Sequence, residues 1–156
     1  VIELATMLAL TSVLATAVVF GTDVFCALVQ RPALAAVDDR ALVAVMGNVH
    51  RYGDRRMPVP GVLGGGAAVA SATLFAVAGQ WTQAILAVSA VAVLLAWIAL
   101  YVRVSAPINR QLTAAAASGR VPANARALQS TWDRIIDARA VLQGLALAAL
   151  CLTLVV

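Results

Sequence analysis

GVLGGGAAVASATLFAVA (Gly61–Ala78) and AILAVSAVAVLLAWIALYV (Ala84–Val102) occupy the middle of the chain, with only GQWTQ (Gly79–Gln83) between them. Neither run carries a charge. At about 1.5 Å per residue, each is long enough to cross the roughly 30 Å of hydrocarbon in a bilayer. In hydrocarbon every backbone donor and acceptor has to be satisfied within the segment, so both runs are read as membrane-spanning helices. The connection is too short for anything but a tight helical hairpin, with Trp81 as an interfacial anchor.

The rest of the chain follows the same pattern. It is 63% hydrophobic and 12% charged, with a mean hydropathy of +0.95, well outside the composition of a soluble domain. A first span covers Leu4–Val29, with Gly21 and Asp23 near its end and Gln30, Arg31 and Pro32 at the interface. No small-residue cleavage site follows it and Glu3 stands where a basic leader would begin, so it is read as a retained helix. The fourth span covers Arg139–Val156.

The expected architecture is all-α: an integral membrane four-helix bundle, residues 1–156 forming one membrane domain. Its spans are near 4–29, 61–78, 84–102 and 139–156, with connections at 30–60 and 103–138. In the first connection Asp38 or Asp39 can cap an extra amphipathic helix with Leu42, Val45, Met46, Val49 and Tyr52 along one side, ended by Pro58 and Pro60. In the other, Arg110–Ala123 is polar and broken by Gly119 and Pro122. A last helix starting near Pro122 projects from the membrane before entering it, with Leu128, Trp132, Ile135 and Leu142 on one side. Trp132 and Arg139, seven residues apart, share a face.

All eleven basic residues are arginines, and the net charge is +4. They lie in the two long connections and none in the hairpin, which places the connections in the cytoplasm and both termini outside, in the plasma (inner) membrane. The partner implied is the lipid bilayer with its anionic headgroups, not nucleic acid. Gly64, Ala68, Ala72 and Ala76, spaced by four, form a stripe that lets another helix approach closely, within the bundle or in an oligomer. Cys26 and Cys151 have no second Cys or His at ligand spacing and would lie at opposite depths, so neither a metal site nor a disulfide is expected.

Few residues carry chemistry. Asp23 is an ionisable group inside a membrane helix and needs a partner, for which Arg139 and Arg103 are the candidates. The alternative role for Asp23 is to orient a ligand or accept its proton. His50, the only histidine, is the natural general base near neutrality, or else sits at headgroup level against Asp54. Arg51, Arg55 and Arg56 read as a positive collar, with one or two of them, Arg51 first, available to hold an anionic ligand. Trp97 and Tyr101 read as belt or core residues. With a single histidine, a haem or other metal lacks a ligand set, and no phosphate loop, GxSxG, HExxH or CxxC occurs.

Pro32-Ala33-Leu34 beyond the first span, Pro107-Ile108-Asn109 with Leu112 after the third, and Trp132 shortly before Arg139 at the fourth together resemble the anthrone oxygenase-like family of small four-span membrane proteins. The resemblance covers nearly the whole chain in layout. It implies oxidation of a hydrophobic aromatic of the anthrone type to a quinone by O2, with no metal, flavin or other cofactor. Within such a mechanism His50, with Asp23 as alternative, is placed as base, Arg139 and Asn109 as anion stabilisers and Trp132 as an aromatic wall. Two other readings stand beside it: a non-catalytic bundle binding lipid or a partner membrane protein, and a haem- or quinone-binding redox protein.

Overall fold

The computed structural model describes all 156 residues, Val1–Val156, as helices joined by short turns. We distinguish α1 (Ile2–Ala35), α2 (Asp39–Arg56), α3 (Pro58–Val77), α4 (Trp81–Ser118) and α5 (Ala125–Leu152). Four helical stretches are long and apolar enough to cross a membrane: α1, α2 running on into α3, α4 and α5. They alternate in direction and form a ring in which α1 and α4 each pack against both α3 and α5. The two chain ends and the α3–α4 turn lie together at one end, where Gln83 Nε2 donates to the Val156 carbonyl at 2.9 Å. All the arginine-rich segments gather at the other, polar end.

The bundle has two kinds of core. Along the spans it is made of small residues: Ala5, Ala9, Ser12 and Ala15 of α1 meet Gly64, Ala68, Ser71 and Ala72 of α3, all buried. Ser12 Oγ donates to the Gly64 carbonyl and Ser71 Oγ to the Ala5 carbonyl, both at 2.8 Å. A methyl group at Gly64 would come within 2.9 Å of Thr16 Oγ1, so the close approach depends on that glycine. Small side chains and interhelical hydrogen bonds are how helices associate without a hydrophobic driving force between them. Within the chain, Gly64 of the stripe packs against Ala15 and Thr16 of α1, and Ala68 joins a cluster with Ala90, Leu94, Ala146 and Leu150. At the polar end the core is bulky, with Leu34, Leu42, Met46, Ile108, Leu112, Trp132 and Ile136 in one cluster.

The helix expected to end at Pro58 and Pro60 does end at Arg56, whereas Pro32 and Pro107 do not interrupt the helices that carry them. Arg31 N–H bonds to the Cys26 carbonyl and Ala106 N–H to the Tyr101 carbonyl, so Cys26–Gln30 and Tyr101–Ser105 are each a single π-helical turn. Each is followed by a proline, Pro32 or Pro107, whose ring would press on the carbonyl four residues back in a regular helix. That carbonyl, of Leu28 or Arg103, lies inside the widened turn, and the helix continues to Ala35 or Ser118. The helix that carries the third apolar run therefore continues past Val102. Met57 likewise keeps helical geometry, its N–H bonding to Gly53 O at 2.8 Å, and Pro58 and Pro60 fall in the first turn of α3, where missing donors cost nothing. Real breaks occur at Gly79 and Gly119, both with positive φ. Asp38 caps α2, its carboxylate accepting from Ala41 N–H at 2.7 Å.

The buried face of α2 is Leu42, Val43, Met46, Gly47 and His50, rotated from the expected Leu42, Val45, Met46, Val49, and Val45, Val49 and Tyr52 are exposed. The reason is the tail of α4, Ala106–Ser118, which α2 crosses closely at Gly47. A methyl there would sit 2.3 Å from Ala116 Cβ and 2.5 Å from the Leu112 carbonyl oxygen. Gly47→Ala is accordingly expected to destabilise the protein by about 1–3 kcal/mol, as overpacking does. Gly21→Ala, whose methyl meets nothing within 4 Å, should be neutral or slightly stabilising. Thermal unfolding of the two detergent-purified variants checks this. On α5 the buried set is Gln129, Trp132, Ile136, Arg139 and Gln143, so Ile136 takes the inward place expected for Ile135.

Candidate functional site

Asp23, buried to 3% exposure, sits one residue pair before the π turn of α1 and is held from three sides. Arg139 Nη2 donates to its Oδ1 at 2.8 Å, and Trp97 Nε1, at 3.4 Å, and Gln143 Nε2 donate to Oδ2. Arg139, 6% exposed, gives its Nη1 to Ser105 Oγ at 2.9 Å. Its guanidinium carbon lies 5.6 Å from the ring centres of Tyr101 and Trp132 and 6.0 Å from that of Trp97. The cation is therefore both neutralised and enclosed by aromatic rings, an arrangement that favours a desolvated guanidinium. Of the two partners weighed for Asp23, Arg139 is the one in place, and Arg103 is exposed.

A second chain of hydrogen bonds lies beside the first. Tyr101 Oη and Asn109 Nδ2 both donate to Asp54 Oδ1 at 2.8 Å, and Trp132 Nε1 donates to Asn109 Oδ1 at 3.1 Å. Trp97, Tyr101, Ser105 and Asn109 recur every fourth residue along α4. In a regular helix that spacing drifts by about 40° per step, and the wider turn at Tyr101–Ser105 offsets one step, keeping all four on one side. His50, 4% exposed, packs its ring against Trp132 with centroids 5.6 Å apart. No hydrogen bond joins His50 to Asp54, whose Oδ1 accepts from Tyr101 and Asn109, and His50 Nε2 is buried with no partner.

These groups wall a cavity of about 500 Å³. Asp23, His50, Asn109, Trp132 and Arg139, five residues singled out in the sequence, all contribute to its lining. Arg51 does not: with His50 turned inward, the next residue points about 100° away. Arg55 and Arg56 are also outside, Arg56 lying over the Tyr52 ring at 5.4 Å. The cavity further includes Trp97, Tyr101 and Asp54, which the sequence left as belt residues or as a mate for His50. Gln143, overlooked inside an apolar run, stands four residues after Arg139, and that spacing was the available signal. Beyond the polar groups the wall is apolar, with Val19, Val62, Val69, Leu94, Leu95 and Ile98. A methyl at Gly53, Gly61, Gly65 or Gly66 would meet nothing within 4 Å, so these lining glycines widen the space.

Chemically, the arrangement offers a large apolar chamber with one polar end. There, Asp23, Arg139, Asn109 and Trp132 are committed to one another, while His50 keeps an unpartnered nitrogen. Cys26, a buried thiol, is also on the wall, and Cys151 is a free thiol exposed near the far end. No cluster of three or more His, Cys, Asp or Glu side chains is arranged to hold a metal ion. Comparison with protein-family models, curated proteins and solved structures gave no match.

Proposed function

We propose that this chain is a membrane-embedded oxygenase that takes a hydrophobic aromatic of the anthrone type and oxidises it with O2. The observation that carries the reading is the apolar cavity with His50, the only histidine, on the wall of its polar end. Its volume falls within the range of sites for small organic ligands, and the family resemblance of the Pro-Ala-Leu, Pro-Ile-Asn and Trp/Arg positions points to the same class of substrate. The arginine distribution orients the bundle with its polar end in the cytoplasm and the ends of this chain outside, in the plasma (inner) membrane.

In the reaction His50 removes a proton from the acidic ring CH2 of the substrate, leaving a delocalised enolate. The enolate gives one electron to O2, and the resulting radical and superoxide join as a peroxide bonded to that carbon. The imidazolium returns its proton to the peroxide, and loss of water together with the second ring hydrogen leaves a carbonyl. One oxygen atom ends in the quinone and the other in water; the carbon loses four electrons and O2 gains four. Trp97, Tyr101 and Trp132 form the aromatic walls. Asp23 and Arg139 hold those walls in place, since their charges are spent on each other, and Asn109 fixes Trp132 through its indole N–H.

Oxygen uptake by the purified protein with anthrone tests the proposal, together with an absorption spectrum that would reveal bound haem or flavin. Gly65→Leu projects a side chain into the empty space and is expected to lower uptake by at least about tenfold while the fold is retained, because the ligand site itself is filled. Anthrone binding without uptake would leave a carrier or receptor for the same ligand class. Uptake unchanged by Gly65→Leu would place the reaction outside this cavity.

A further inference from the structure

We infer that the site is loaded sideways from the bilayer through a slot between α3 and α4, and that its occupant is a phenol-type aromatic bearing an apolar tail. The inference rests on the cavity being the ligand site and deepens the substrate class.

The cavity is closed at the back and open at the front. Of its α1 and α5 lining residues, Val19, Asp23, Cys26, Trp132 and Arg139 are buried and Thr22 is half-buried. Its front is formed by side chains that line the cavity and yet stand open to the outside: Val62 is 74% exposed, Leu95 60% and Val102 58%. All three belong to the two helices of the central hairpin. Because α3 and α4 are tied together at Ala78–Gln80, the opening lies toward their other ends, between apolar helix faces. With the spans in a bilayer, such an opening faces lipid rather than water.

The slot has the depth of one leaflet. Its α3 wall runs from Pro58 through Gly66 to Val69, and its α4 wall from Val91 to Val102. Each is about 16 Å at 1.5 Å per residue, roughly half the hydrocarbon thickness. The polar groups His50, Asp54, Tyr101 and Asn109 are gathered at the arginine-rich end, and the opposite end, near mid-span, is lined by Val69 and Val91. A molecule resident in one leaflet has the same polarity profile, with a polar head at the interface and a tail toward the midplane. A bare tricyclic ring would fill only the head end.

The head has no strong charge to meet. Arg139 is the only basic residue on the wall besides His50, and it is paired with Asp23. The remaining arginines lie outside the cavity, so a phosphate head finds no free cation within. The rings of Trp97, Tyr101 and Trp132 on the wall suit a neutral hydroxyaromatic, which stacks and brings no charge.

The test reads binding without turnover. Trp97 and Trp132 line the cavity while Trp81 is exposed on the far hairpin, so Trp81→Phe leaves only the site tryptophans to fluoresce. In lipid nanodiscs, a 4-alkylphenol with bromine at the tail end should quench this fluorescence saturably, with a midpoint set by its mole fraction in the lipid. The unbrominated alkylphenol should compete, and 4-methylphenol should compete at least about tenfold less well. Gly66→Phe, or Gly65→Leu as a second variant, should abolish the saturable component, since added side chains there enter open space. Non-saturable quenching, quenching unchanged in both variants, or equal competition by 4-methylphenol would overturn the inference. If that happened while anthrone still supported oxygen uptake, the oxygenase reading would survive without the tail. Saturable quenching with no oxygen uptake from anthrone or the alkylphenol would support the slot and its occupant and overturn the oxygenase.

Discussion

Asp23→Ala is expected to destabilise the folded protein by about 3–5 kcal/mol, the cost of leaving a buried charge without its partner. Arg139 would then keep one hydrogen bond, to Ser105, and its Nε is already buried without a partner. Trp97 would also lose its acceptor, and Gln143 Nε2 would keep only its 3.4 Å bond to the Arg139 carbonyl. Arg139→Met should cost a comparable amount by the opposite route, stranding the carboxylate. The double variant is the informative member of the cycle: with both charges gone, an apolar side chain stands among Trp97, Tyr101 and Trp132, and much of the loss should be recovered. Unfolding of the four proteins in one detergent measures the coupling. A loss below about 1 kcal/mol for Asp23→Ala would match a surface pair and contradict the burial described.

His50→Gln is expected to act on the proposed oxygenation and hardly on the fold. The histidine makes no side-chain hydrogen bond that the fold depends on, and glutamine preserves a polar side chain of similar reach against Trp132. Removing a general base typically costs about 10²–10⁴ in rate, which would take oxygen uptake with anthrone close to background. Asp23→Asn is the matched control. It keeps an oxygen acceptor for Arg139 but changes the charge, so it should lower stability first and uptake only through the displaced aromatic walls. Uptake lowered by Asp23→Asn and untouched by His50→Gln would transfer the base to Asp23. If neither substitution lowers it, no proton is taken by either group.

The bundle was legible because its spans are written as uninterrupted apolar runs, and the buried pair because a carboxylate at Asp23 has few cations within reach. Trp132 and Arg139 could be placed on one face from their spacing alone. The π turns could not: nothing in CALVQ or YVRVS differs from ordinary helix, and the signal is indirect, a proline two residues beyond each. Without those turns Pro107 reads as a stop, and Tyr101 and Asn109 appear to belong to different elements when they flank the same carboxylate. The rotation of α2 was hidden for another reason. Its apolar residues permit more than one buried face, and Gly47, which sets the choice, matters only because Leu112 and Ala116 pass against it. The empty space beside Gly61, Gly65 and Gly66 was similarly invisible, since a glycine run looks the same whether it admits a helix, as at Gly64, or a ligand.

The division between a small-residue core along the spans and a bulky core at the polar end makes the molecule answer to two different solvents. The four long apolar helices cohere by close packing and hydrogen bonding, which a well-matched detergent preserves. The cluster around Leu42, Met46, Leu112 and Ile136 coheres by exclusion from water, with the heat-capacity signature and urea sensitivity that this entails. Because Trp132 belongs to the second region and packs against His50, mild urea should loosen the polar end of the chamber while its apolar flanks still stand. Affinity for the proposed ligand would then vanish before helicity does, and a sample judged intact by circular dichroism could already have lost the shape of its cavity.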